Sequence, residues 1–344
     1  MIRFNNDYCH GAHPDVLKAL VETNDNAYGG YGLDEVCEAA KKEIAKYLGE
    51  VNADIHFLVG GTQTNYTVIS SALRSYQGVI SADTGHIHVH ETGAVEHVGH
   101  KILALPATDG KITAQQIKTV AQGYVDSDVK EHITQPKLVY ISFPTEFGTI
   151  YTKQELIDIS NVCKQYGMFL FVDGARMSYG LAAHGGDVTL ADLAKYADVF
   201  YIGGTKCGAM FGEAVVITND YLKPDFRSYI KQNGGMLAKG WTLGLQFYTL
   251  FKDGLYFEIA KKSIEQAQRI KQAFIDKSIE IYIDSPTNQQ FVAVDQSVAD
   301  KLAQNFYFEN EGYTDGGKKI IRFCTAWSTK DEEIDSLTES INKL

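Results

Sequence analysis

The stretch YIGGTKCGAM at residues 201–210 sets one lysine, Lys206, between a glycine pair and a run of small residues, directly after the strand-like DVFYIGG. A lysine held in an apolar, water-poor pocket loses affinity for its proton, because burial disfavours the charged form. Its amine is then a nucleophile able to form a Schiff base with an aldehyde. Upstream, MFLFVDGAR ends an apolar run in Asp173, at a depth where a lone carboxylate would lose its hydration at high cost. Asp173 therefore requires a cationic or hydrogen-bonding partner. Arg176 is either that partner or a bidentate holder of a substrate carboxylate. A third stretch, HFLVGG running into TQTN and a helix, offers backbone N–H groups at Gly61, the Thr62 hydroxyl and a helix dipole to an anion. The plainer reading is a glycine turn capped by threonine. With neither a G-x-G-x-x-G fingerprint nor a P-loop lysine, the phosphate belongs to something smaller than NAD or ATP.

Each of the three features closes its own strand, where open α/β sheets bind ligands. A phosphate cup, a buried aspartate and a Schiff-base lysine are the three fixtures pyridoxal 5′-phosphate requires. On this reading Lys206 anchors the cofactor, and Asp173 keeps the pyridine nitrogen protonated so that the ring becomes an electron sink.

The elements that position these residues follow from periodicity. Helix-like and strand-like stretches alternate from about residue 15 to 245, the pattern of a large α/β domain with a mostly parallel sheet. HPDVLKALVETND and GLDEVCEAAKKEIAKYLG read as amphipathic helices, and DIHFLVGG as a buried strand ahead of the helix TNYTVISSALRSY. MFLFVDGAR, DVFYIGGTK and GEAVVIT read as strands apolar on both faces, as parallel sheets require. From 246 to 344 the texture changes: one continuous helix FKDGLYFEIAKKSIEQAQRIKQAFIDK, the strands QFVAVD, NFYFEN and KIIRFCTAW, and a last polar helix make a smaller C-terminal α+β domain. Residues 1–14 form an N-terminal arm free to pack on either lobe.

At 344 residues, 44% hydrophobic and 22% charged, the chain is long and apolar enough for two docked lobes. A net charge of −11 without a basic run argues against nucleic acid as a partner. Five scattered cysteines without a C-x-x-C pair indicate neither a disulfide framework nor a zinc ribbon. The N-terminus shows no apolar h-region and no stretch has the length of a membrane span, so the expected setting is cytoplasmic with no membrane partner.

NAYGGYGLDEVCEAAKKEIAKYLG, GGTQTN, GHIHVHETGA, VDGAR, GGTK and IIRFCTAW together resemble the low-specificity L-threonine aldolases, in the β-eliminating lyase group of fold type I pyridoxal phosphate enzymes. The resemblance implies that Gly61 and Thr62 bind phosphate, that Thr205, in place of the family's serine, is among the cofactor-binding residues, that His86 stacks on the cofactor ring with Glu91 nearby, and that Asp173 pairs with the pyridinium. It implies Lys206 as the cofactor's anchor and Arg176 and Arg322 as holders of the substrate carboxylate, with a further polar contact from Asn6. It also implies a homotetramer built from dimers, each site completed across the dimer interface; Tyr28 and Lys231 are the candidates for that contribution. The family's GGMR is here NGGMLAK, so its arginine falls on Leu237.

HIHVH would present His86, His88 and His90 to a metal only if it were a strand. Read as entering a helix, it leaves only His86 and His90 as neighbours, and no catalytic metal is expected. Cys207 reads as a small buried filler. The expected reaction is cleavage of threonine or allo-threonine to glycine and an aldehyde, with His86, or a water held by His86 and His90, as base. The rival readings are a β-eliminating lyase or an aminotransferase on the same cofactor, and a non-catalytic binding protein on the same scaffold.

Overall fold

The computed structural model describes residues 1–344. Its strands, in chain order, are β1 (Ile2–Arg3), β2 (Asp54–Leu58), β3 (Gln77–Ala82), β4 (Lys101–Leu105), β5 (Gln135–Ser142), β6 (Phe169–Asp173), β7 (Val199–Gly203), β8 (Glu213–Ile217), β9 (Glu280–Ile283), β10 (Gln289–Val294), β11 (Phe306–Tyr307), β12 (Glu309–Tyr313) and β13 (Lys319–Cys324). The large sheet has the order β2-β8-β7-β6-β5-β3-β4. β3 to β7 pair in parallel, as the alternating pattern requires.

β8 departs from that expectation and runs antiparallel to both β7 and β2. The reason is length: residues 204–212 are too few for the dozen or more that a parallel crossover needs. β2 also differs, since as an edge strand it leaves Asp54 exposed and His56 and Phe57 half-buried.

Alternation along the central strands sorts their side chains onto two faces. Val139, Val172, Phe200 and Ile202 join one apolar cluster, while Leu138, Tyr140, Phe171, Val199 and Tyr201 join the other. At roughly 1.5–3 kcal/mol for each large apolar side chain fully buried, this double-sided burial is what holds the sheet. Asp173, two residues beyond Phe171, therefore lies on the face of Tyr140 and Tyr201. The helix Gly61–Ala72 packs on that face through Val68, Ile69 and Ala72 and brings its first turn to the same end of the sheet.

In the C-terminal lobe the antiparallel order is β12-β13-β10-β9. Ile270 and Phe274 of the helix Leu255–Asp276 pack against Val292, Ile321 and Phe323 of this sheet. The single strand expected over NFYFEN is two: β11 leaves the sheet and pairs in parallel with β1, tying the N-terminal arm to this lobe, with Phe4 fully buried in its core. The long helix starts only at Leu255, after Gly254 at φ +75°. Before it, the helix Trp241–Phe251, which periodicity did not separate, crosses residue 245 and packs on the helices Pro14–Glu22 and Glu35–Ala45. No helix is long and apolar enough to cross a membrane.

Candidate active site

The carboxyl ends of β5, β6 and β7 open into a cavity of about 760 Å³, within the range of ligand sites. Past Asp173 the chain turns back over β7, with Gly203 N–H donating to Gly174 O at 2.9 Å. A Cβ on Gly174 would sit 2.0 Å from Tyr201 O, so only glycine permits this approach. Past Gly203 the loop closes on Gly212, whose O accepts from Gly204 N–H at 2.9 Å, and Tyr179 Oη donates to Lys206 O at 2.9 Å. The backbone of Lys206 is thereby fixed while its side chain enters the cavity. Burial, and then the nearby Arg176 guanidinium, lower the proton affinity of Lys206; Asp7, Asp173 and Glu213 oppose the shift.

Asp173 is 4% exposed and has four donors. Oδ1 accepts from Ala175 N–H (2.9 Å) and Tyr201 Oη, and Oδ2 from Tyr140 Oη (2.5 Å) and Asn65 Nδ2 (3.0 Å). Arg176 is not its partner, which removes the Asp173–Arg176 pair considered from sequence. Instead Arg176 Nε and Nη2 grip Asp7 Oδ2 and Oδ1 at 2.7 and 3.0 Å, and Asn288 Nδ2 adds a third bond to that carboxylate at 3.0 Å. Burial pushes the Asp7 carboxyl up, but Arg176 and Lys206 outweigh it and hold Asp7 below the usual carboxylate value.

His86 opens the short helix His86–Val89. Its Nδ1 lies 2.8 Å from Glu91 Oε1, which also accepts from Asn65 Nδ2 at 2.7 Å. Asn65 thus links the His86–Glu91 pair to Asp173. The rings of His86 and His90 are 5.5 Å apart, as helical neighbours, while His88 points outward and is exposed. Arg322, on β13, reaches Glu311 Oε1 at 3.2 Å, Gln289 Oε1 at 3.3 Å and Asn5 O at 3.3 Å, and its Nε has no partner.

Gly61 and Thr62 form the first turn of their helix at the cavity wall, where unpaired N–H groups carry roughly half a positive charge. Thr205 also lines the cavity, but its hydroxyl donates to Glu213 Oε1 (2.8 Å) and accepts from Gly212 N–H (3.0 Å). Cys207 is buried against Ser178 Oγ, as a filler should be.

Three candidates are not brought into the cavity of their own chain. Asn6 Oδ1 accepts from Tyr8 N–H and Cys9 Sγ, turning back on its own loop, so the arm contributes Tyr8 to the cavity wall and Asp7 as the partner of Arg176 instead. Tyr28 packs on Trp241 with ring centroids 4.8 Å apart, and Lys231 sits over the Tyr31 ring at 5.0 Å. Leu237 lies with Tyr31 in a separate small cleft.

Sequence reasoning missed Asp7, Asn65, Tyr140, Tyr201, Glu146 and Glu213. Two of these carried a signal: a tyrosine in a strand buried on both faces must find a partner for its hydroxyl, and Tyr140 and Tyr201 both find Asp173. Glu213 carried another, as a carboxyl opening an apolar strand; it also accepts from Gly204 N–H at 3.2 Å, and burial, partly offset by the Thr205 bond and Lys206, pushes it up to about 8.

The β-eliminating lyase family matches residues 15–297. The low-specificity L-threonine aldolase of a Pseudomonas species is 31% identical, over 98% of this chain and 96% of that one. Its Escherichia coli counterpart is 25% identical over 88% of this chain and 87% of the relative. A solved threonine aldolase of Leishmania major superposes with a TM-score of 0.96 at 42% identity, over 100% of this chain and 99% of that one. Treponema denticola cystalysin, solved with pyridoxal 5′-phosphate, shares the fold at TM-score 0.70 and 18% identity, over 100% of this chain and 90% of that one.

Proposed function

The chain belongs to the β-eliminating lyase family, among its low-specificity L-threonine aldolases, and we propose that it uses pyridoxal 5′-phosphate to cleave the Cα–Cβ bond of threonine or allo-threonine, giving glycine and an aldehyde. The observation that carries this reading is one cavity holding a buried Lys206 of lowered proton affinity, a buried Asp173 and two arginines. These residues fit the cofactor. The Lys206 amine suits its aldehyde, the first turn at Gly61 and Thr62 its phosphate, Asp173 its ring nitrogen and the His86 imidazole its ring face. Bound there, the cofactor supplies an electron sink for the pair left on Cα when the bond breaks.

The protein's own residues do the rest. Arg176, which keeps Nη1 free of other protein groups, and Arg322 bind the substrate carboxylate and fix the amino acid against rotation. The four donors around Asp173 hold its carboxylate in one place, so no reorganisation is needed when charge develops. Lys206 Nζ, with its lowered proton affinity, is the group suited to hand a proton to Cα. In this reading the lobe of residues 15–245 holds the cofactor, and the arm 1–14 with the lobe 246–344 closes over the substrate.

Visible absorbance of the purified protein tests the anchor: Lys206→Ala loses the cofactor's lysine-linked band and at least about 10⁴-fold in cleavage rate. A variant that keeps the band moves the anchor elsewhere. Separate incubations with threonine, serine, cysteine and a keto acid test the reaction. Acetaldehyde with glycine supports the aldolase, pyruvate an eliminase, and a new amino acid an aminotransferase. We further propose a homo-oligomer in which Tyr28 and Lys231 serve the partner's site; their position outside their own cavity supports this. Five unpaired cysteines support a reducing, cytoplasmic setting.

A further inference from the structure

The carboxyl groups deep in the cavity are not equivalent. Asp173 has both oxygens occupied by donors, and so has Glu213. Glu311 faces Arg322 at 3.2 Å. Glu146 differs. Its Oε1 accepts from Ser142 Oγ at 2.7 Å and from His86 N–H at 2.8 Å, whereas Oε2 bonds no other residue and keeps access to the cavity. The loop that carries it is pinned by Thr145 N–H to Thr149 O (2.9 Å) and by Gln289 Nε2 to Glu146 O (3.4 Å). Glu146 is thus a fixed carboxylate beside His86, with one oxygen uncommitted.

What Glu146 can contact follows by elimination and rests on the reading of the reaction given above. A substrate carboxylate is drawn to Arg176 and Arg322 and repelled by another carboxylate. The amino nitrogen belongs at Lys206. The remaining protic group of a β-hydroxy-α-amino acid is its hydroxyl. We propose that Glu146 is the catalytic base that takes the β-hydroxyl proton, with His86 aligned beside it by the bond from its own N–H to Oε1. The O–H bond breaks as Oε2 gains the proton; Cβ–O becomes the aldehyde C=O, and the Cα–Cβ pair stays on Cα. Cα then gains a proton to give glycine, and Glu146 returns its own to solvent once the aldehyde has left. No oxidant or further reactant enters the balance.

The groups packed around Glu146 favour a base. Tyr140 and Ser142 on β5, Asp173 on β6, His86 on its short helix and Gln289 on β10 include no lysine or arginine, and burial with the Asp173 charge raises its proton affinity against the hydrogen bonds it accepts.

The test compares two reactions in the cofactor-loaded protein. Threonine cleavage needs a hydroxyl base; exchange of the glycine α-hydrogen in D₂O needs Lys206 and the cofactor but no hydroxyl. Glu146→Gln is expected to slow threonine cleavage by about 10²–10⁴-fold while glycine exchange stays close to wild type. Glu146→Asp is expected to recover part of the cleavage and the acid limb of the kcat–pH profile that Glu146→Gln lacks. Parallel loss of both reactions in Glu146→Gln, or undiminished cleavage, overturns the assignment. A wild-type protein that exchanges glycine hydrogen yet cleaves no β-hydroxy-α-amino acid overturns the aldolase reading, and this inference with it.

Discussion

Two arginines flank the same cavity and are held in opposite ways. Arg176 is gripped by both oxygens of Asp7, a carboxylate only 1% exposed that Asn288 also binds. Arg322 has three longer contacts of 3.2–3.3 Å and an Nε with none. A buried pair, once broken, leaves an uncompensated charge and costs about 3–5 kcal/mol. The two arginine side chains are about equally covered, 16% exposed for Arg322 and 14% for Arg176, but the side chain of Glu311 is 28% exposed where that of Asp7 is 0%. An ion pair whose carboxylate is still reached by water contributes roughly 0–1 kcal/mol. The Asp7–Arg176 corner therefore does two jobs. Phe4 of the arm is buried in the small lobe, so a bidentate bond from the same arm to the loop after β6 couples the two lobes across the site. The Glu311–Arg322 corner has no such duty, and in the function proposed above Arg322 exchanges Glu311 for the substrate carboxylate at little cost.

The largest effect that could break this contrast belongs to Arg176→Ala. Urea unfolding should show a loss of about 3–5 kcal/mol, with Asp7 left buried and unpaired. A loss near 1 kcal/mol would mean the corner is no keystone. Acid should expose the same pair. Asp7 binds its proton less readily folded than unfolded, so its contribution is present above the usual carboxylate value of 3.8 and is lost as pH falls through the lower folded value. The unfolding free energy from urea titrations should drop in that window by up to about 1.4 kcal/mol per pH unit, and Asp7→Asn should lack this part of the drop. Equal acid sensitivity in both proteins would remove Asp7 as the cause.

Arg322→Ala should leave stability within about 1 kcal/mol of wild type and raise KM for threonine about tenfold or more, the difference made by one charge-assisted hydrogen bond. An unchanged KM would take Arg322 out of the carboxylate site. The smallest effect is expected for Glu311→Gln, which frees Arg322: stability should move by less than about 1 kcal/mol while KM falls. A higher KM would show that Glu311 positions the arginine instead of competing for it.

Much of the site was legible where the warning lay in a single stretch of chain. Lys206 and Asp173 stood out because an ionisable group at the end of an apolar strand is costly wherever the strand goes. Arg176 was legible as a residue but not in its partner. Glu146 gave no signal in FPTEFG, a turn sequence whose glutamate looks solvated until His86 N–H and Ser142 Oγ are found against it. The direction of β8 was hidden for another reason: an apolar strand buried on both faces looks the same in either direction, and only the short 204–212 connection tells them apart.

The sequence by itself determined the element pattern, the two-sided burial of the central strands and the positions of the lysine, the aspartate and the glycine-threonine turn. Periodicity and desolvation cost are properties of neighbours along the chain. Only the tertiary structure decided which charge meets which. Asp7 and Arg176 lie 169 positions apart, Asn65 and Asp173 108, and Tyr201 and Asp173 28. Hydrogen bonds and ion pairs act over about 3–4 Å of space, and the path that closes such sequence gaps is set by how the sheet, the arm and the small lobe pack.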